Sequence, residues 1–130
     1  MSTRSQVHFK NSGVYLYQHY DGNLLSQRVQ WAIKKNARWD DEEYLTRIVF
    51  DGMKSEQETT MYVRYNEEPT TGFGIGTTRH SDIEYLITID CEKQTIESES
   101  GYDKDMTVDW TGTLEEFSNL GYGAMEELKK

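Results

Sequence analysis

Several things are scarce in this chain, and each scarcity excludes something. There is one cysteine, Cys91, and one proline, Pro69, in 130 residues. A lone cysteine cannot close an internal disulfide, so no disulfide framework is expected and a reducing compartment fits. No apolar run approaches the ~18 residues of a membrane span. The opening Met1-Ser2-Thr3-Arg4-Ser5-Gln6 lacks the apolar stretch of a secretory signal. Together these absences predict a cytoplasmic protein. Cations are scarce late in the chain. Residues 82–130 hold thirteen acids against four lysines, while residues 1–81 hold ten of each sign, so the last third carries the whole net charge of −9. That balance argues against nonspecific nucleic-acid binding, which needs Lys and Arg in excess at the phosphates.

What is present describes a globular protein. The apolar fraction is 35% and the charged fraction 28%, and a chain of this length predicts a single domain, 1–130. Val7 to Lys10 and Val14 to Tyr20 read as a hairpin around Asn11-Ser12-Gly13. Alternation puts Val14, Leu16 and Gln18 on one face of the second strand and Tyr15, Tyr17 and His19 on the other. From Leu24 to about Lys35 the period becomes helical. Leu25, Val29, Ala32 and Ile33 form the stripe, with Arg28, Lys34 and Lys35 outside it. A second helix is expected after Trp39, capped by Asp40 with Glu43 completing a capping box. Its buried stripe is Tyr44, Leu45, Ile48, Val49 and Met53, and Gly52 lies near its end.

Met61 to Tyr65 and Phe73 to Thr77 read as short strands. Ile83 to Asp90 alternates cleanly, turns at Asp90-Cys91-Glu92-Lys93 and returns through Gln94 to Ser98. An acidic loop, 99–105, then leads to a strand from Met106 to Trp110. Thr113-Leu114-Glu115-Glu116 is a capping box opening a short helix, and Ala124 to Lys130 reads as a last helical turn. The expected fold is α+β: an antiparallel sheet of about four to six strands, a helix pair on one face and a short C-terminal helix.

No motif carries established chemistry. His19 and Asp21 stand two apart at a strand end, where a carboxylate could orient an imidazole, but no nucleophile is assigned to them and a structural turn explains both. His8, His19, His80 and Cys91 look scattered, with no metal-ligand spacing, and Asp103-Lys104-Asp105 places a cation where a calcium loop needs oxygen. Gly72-Phe73-Gly74-Ile75-Gly76 has the wrong offsets for a phosphate loop and no helix after it, so it reads as a glycine-bent strand. Acidic neighbours make Cys91 a poor nucleophile. No catalytic residue, metal or cofactor is expected.

Two features suggest a surface that binds. Glu84, Asp90, Glu92, Glu97, Glu99, Asp103, Asp105 and Asp109 come from adjacent strands and their connections. Carboxylates arrayed on strands ~4.8 Å apart form a negative zone fit for a basic partner. Tyr15, Tyr17 and His19 share a strand face among nine tyrosines, as either sheet cover or a secondary aromatic patch.

Val14-Tyr15-Leu16-Tyr17-Gln18-His19-Tyr20-Asp21-Gly22, Arg38 to Phe50 and Thr71 to Ile75 resemble a group of small uncharacterised phage and prophage proteins with a Tyr-x-His-x-Asp-Gly element. The resemblance spans roughly residues 13–96 and brings no catalytic residue with it. It implies a phage setting, in which a small acidic protein can occupy a host defence or nucleic-acid-handling complex, as anti-CRISPR proteins do. The expectation is therefore a protein-binding module acting in the cytoplasm of a bacterial host on the basic surface of a protein or nucleoprotein complex, with no direct nucleic-acid or membrane binding. The alternatives are a ligand binder or enzyme centred on His19 and Asp21, and a structural or oligomeric protein using the tyrosine-rich face.

Overall fold

Alternation along the first hairpin sets the layout. Ser5–Phe9 forms β1 and Val14–Gln18 forms β2, with Val7 opposite Leu16 and His8 opposite Tyr15. Val7, Phe9 and Leu16 are fully buried, while His8, Tyr15 and Tyr17 on the other face are half-buried. Gly13 closes the turn at φ +82°, a left-handed conformation that glycine adopts without a Cβ clash. The computed structural model describes residues 3–54, 72–102 and 105–121. The expected strand at Met61 to Tyr65, the turn at Ala124 to Lys130 and Asp103 all lie outside those residues.

Phe73–Gly76 forms β3, Tyr85–Asp90 β4, Thr95–Ser100 β5 and Thr107–Thr113 β6. They complete a six-stranded sheet in the order β3-β2-β1-β4-β5-β6. The fold is α+β, as expected, and the sheet is mostly antiparallel. One pairing departs from that pattern: β1 and β4 run parallel at the centre, with Val7 opposite Ile87. A parallel pair needs a crossing connection. The chain from β3 to β4 crosses β2 and β1 on the face of Gln6 and Tyr17. Gln6 holds it there, its Nε2 donating to the Thr78 carbonyl at 3.0 Å and its Oε1 accepting from the His80 N–H at 2.9 Å. β5 also runs longer than expected, taking Glu99 and Ser100 out of the acidic loop.

Helices cover the other face. A 3-10 turn at Gly22–Leu24 leads into α1, Leu25–Ile33, followed by α2, Glu42–Lys54. Leu25, Val29, Ala32, Ile33, Leu45, Val49 and Met53 pack with Val7, Phe9, Leu16, Ile87, Ile89 and Ile96 in one core. Each fully buried aliphatic or Phe side chain there contributes about 1.5–3 kcal/mol. Gly52 lies in the last turn of α2, near its end as expected, where the two helices approach closely. A Cβ on it would come within 2.8 Å of the Arg28 carbonyl oxygen.

Three helical expectations need correction. Arg28 is buried, only 3% exposed, because its guanidinium reaches the Asp21 carboxylate at 3.5 Å. Tyr44 is 50% exposed, with the Arg38 guanidinium over its ring at 4.3 Å. The first bond of α2 runs from the Leu45 N–H to the Asp41 carbonyl, so Asp41 rather than Asp40 holds the cap position. The Glu42 carboxylate instead accepts from the backbone of Asn11 and Ser12, tying α2 to the first turn. At the end of the sheet α3, Leu114–Ser118, opens with the expected capping box. The Thr113 hydroxyl accepts from the Glu116 N–H at 3.0 Å, and the Glu116 carboxylate accepts from the Thr113 N–H at 2.8 Å. Leu114 and Phe117 close the core. Among the described residues no helix is long and apolar enough to cross a membrane.

Candidate functional site

The sheet face away from the helices carries most of the distinctive side chains, and its register can be read across the strands. One row runs Gly74, Tyr17, Gln6, Leu86, Glu99; the next runs Gly76, Tyr15, His8, Thr88, Glu97. The β2–β3 half is therefore aromatic, and the β5–β6 half acidic.

In the aromatic half His8 and Tyr15 stack across strands, centroids 4.1 Å apart and planes 17° from parallel. The Tyr17 hydroxyl lies 2.8 Å from His19 Nδ1, and Arg4 Nε donates to the same nitrogen at 3.3 Å. Because guanidinium only donates, Nδ1 is the accepting side of that ring. Arg4 also pairs with Asp82 at 3.5 Å. His80, delivered by the crossing segment, packs on Tyr17 with centroids 4.7 Å apart. Burial, partly opposed by Arg4, raises the Tyr17 phenol above its ordinary range and keeps it neutral. All three histidines of the chain thus gather around Tyr15 and Tyr17 rather than scattering. His19 is held in this network, and the Asp21 carboxylate meets Arg28 of α1.

In the acidic half Glu97 and Glu99 alternate along β5, with Asp109 on the adjoining β6. The Glu99 carboxyl is raised above its usual range. Burial is the largest cause, Glu97 and Asp109 add repulsion, and Arg79 of the crossing segment partly offsets it. These three acids form one group. Of the other sequence candidates, Asp90 follows Thr88 on the same face and borders a small hollow with Glu97, Lys10 and Lys93, while Glu84, Glu92 and Asp105 lie at the ends of their strands. Glu84 accepts from the Tyr102 hydroxyl at 2.9 Å. Asp90 is 7% exposed, its Oδ1 accepting from the Lys93 N–H at 3.1 Å, and Glu92 occupies the same β4–β5 turn. Asp105 is exposed just before β6.

The turn acids have neighbours that sequence reasoning did not place beside them. Cys91 is buried in that turn. Its thiol is pushed up to about 12, first by burial and then by Glu42, Asp90, Asp41 and Asp40, so it stays protonated. No group of three or more His, Cys, Asp or Glu is arranged to hold a metal ion among the described residues. A concavity of about 770 Å³ lies between the α1–α2 connection and α3, bordered by Lys34, Trp39, Glu115 and Asn119. A smaller groove of about 270 Å³ lies on the aromatic half of the helix-free face, lined by Tyr15, Tyr17, Gly74, Gly76 and His80 among others.

No family model matches this sequence, and no curated protein or solved structure matches it either. Functional inference rests on the face itself. His8 was within reach of sequence reasoning, because the hairpin register pairs it with Tyr15. His80 was not, because only the tertiary crossing brings it there.

Proposed function

We propose that this protein is a binding module whose helix-free sheet face docks onto a Lys/Arg-rich surface of a partner protein. The observation that supports this best is that Glu97, Glu99 and Asp109 and the Tyr15–Tyr17–His19 cluster share the helix-free face, which the crossing segment covers only at its centre. Tyrosines provide large, rigid contact area with a polar tip, which interfaces favour. Burial first, and then repulsion from Glu97 and Asp109, raises the Glu99 carboxyl, and an incoming cation offsets the repulsive part. The same field steers positively charged partners toward the face.

Basic surfaces of this kind belong to complexes that handle nucleic acid. Together with the resemblance to small phage proteins, this extends the proposal to inhibition of a host defence or nucleic-acid-handling complex in the bacterial cytoplasm. Carboxylates would there occupy positions otherwise taken by phosphates. The test is capture of proteins from a bacterial lysate at low and high salt, by the wild type and by Glu97→Lys/Glu99→Lys/Asp109→Lys. Salt-sensitive capture that disappears in the variant is the expected result; the same proteins retained by both would contradict it.

A further inference from the structure

Among the described residues, nothing in the packing requires two positions of β3 to be glycine. Gly74 and Gly76 face Tyr17 and Tyr15 across the β2–β3 register. Neither has a left-handed φ, so the glycine-bent strand read from sequence is not what they provide. Among the described residues, a Cβ added at Gly76 would meet nothing within 4 Å, and one at Gly74 would touch Tyr17 at 3.8 Å, an ordinary contact. A glycine inside a strand costs roughly 0.5–1 kcal/mol relative to alanine, and one at its end, like Gly76, less. The two missing side chains leave open the groove of about 270 Å³ beside Tyr15, Tyr17 and His80.

One wall of that groove is an unfinished stack. β1 and β3 flank β2 on opposite sides, so His8 covers one face of the Tyr15 ring while the other looks over Gly76. A planar group entering over Gly76 would add a third layer. We propose that this group is the guanidinium of an arginine on the partner surface. This deepens the docking reading above and rests on it. Guanidinium is flat, cationic and weakly hydrated, and it stacks on tyrosine through both its plane and its charge. The acids Glu97, Glu99 and Asp109 on the same face, and the net charge of −9, favour a cation over a nucleotide. The nearby cations are engaged, Arg4 just before β1 with Asp82, and Arg79 of the crossing segment acting on Glu99. Lysine would gain the charge attraction but has no plane to stack.

The probes are two synthetic peptides of equal length, alternating Arg-Ser and alternating Lys-Ser, with binding followed by fluorescence anisotropy at low salt. The wild type should hold the arginine peptide about two- to fivefold more tightly than the lysine peptide, the effect of one exposed cation–π contact. Gly76→Val fills the groove with a good strand former, and Tyr15→Leu keeps an apolar body without the aromatic face. Each should abolish the arginine preference by weakening the arginine peptide more than the lysine peptide, with circular dichroism confirming the fold. Equal affinity for both peptides in the wild type, or a preference that survives both substitutions, overturns the inference. Glu97→Gln/Glu99→Gln/Asp109→Gln should weaken both peptides and flatten the salt dependence. No change there would sink the docking face and the inference with it, whereas a missing arginine preference alone would sink only the arginine slot.

Discussion

The two faces of this sheet are built from alternate residues of the same strands, yet they answer to different constraints. On the helix-covered face Val7, Phe9, Leu16, Ile87, Ile89 and Ile96 are apolar and sealed. On the other face their immediate neighbours are His8, Tyr15, Tyr17, Thr88 and Glu97, partly exposed and chemically mixed. Folding dictates the first set, because the helices must bury a continuous apolar layer against it. Outside Gln6 and Leu86, which the crossing segment buries, it constrains the second less, so the histidine cluster and the two glycines of that face are where function is sought.

Substitutions at neighbouring positions should separate the faces most sharply. Phe9→Ala removes a fully buried ring and should cost about 3–5 kcal/mol in denaturant unfolding. His8→Ala, one residue away on the open face, should cost less than about 1 kcal/mol; comparable losses would mean that both faces are structural. Gly52→Ala tests the helix layer from outside the sheet. Its Cβ would press within 2.8 Å of a backbone oxygen of α1, and a loss of about 1–3 kcal/mol is expected from overpacking. Thr113→Ala, which deletes the hydroxyl capping α3, should cost about 1 kcal/mol.

The smallest effect has the opposite sign. Because the Glu99 carboxyl is raised in the folded protein, the folded state holds its proton more firmly than the unfolded chain. Stability from this group is therefore greatest at low pH and is lost as pH rises through the folded-state range. Glu99→Gln should raise the melting temperature slightly at neutral pH, and the gain should vanish on acidification. A pH-independent gain would remove charge repulsion as its cause.

The period-2 and period-3.6 patterns were enough to predict the α+β class, the division of β2 into a Leu16 face and a Tyr15–Tyr17 face, and the Thr113 capping box. Local pattern carries those features, since each depends on residues a few positions apart. It did not reveal the parallel β1–β4 pair, whose strands are separated by most of the chain, or the crossing segment that brings His80 to Tyr17. Arg28 looked solvent-facing because helical spacing says nothing of a carboxylate waiting on the preceding turn, at Asp21. The acids were read as one group from strand adjacency. The structure brings Glu97, Glu99 and Asp109 together and sets Asp90 beside Glu97 in a hollow that Lys10 and Lys93 also border, while Glu92 sits in the β4–β5 turn.

The most direct test of the central idea, that one face of the sheet and not overall charge makes the contact, compares two triple reversals of identical charge change. Glu97→Lys/Glu99→Lys/Asp109→Lys alters the helix-free face; Asp40→Lys/Glu43→Lys/Glu115→Lys alters exposed positions of the helical layer and its flank. Affinity for the arginine peptide, measured side by side across salt, should collapse in the first and stay within about twofold of wild type in the second. Equal losses in both would contradict the account, leaving net charge as the only determinant.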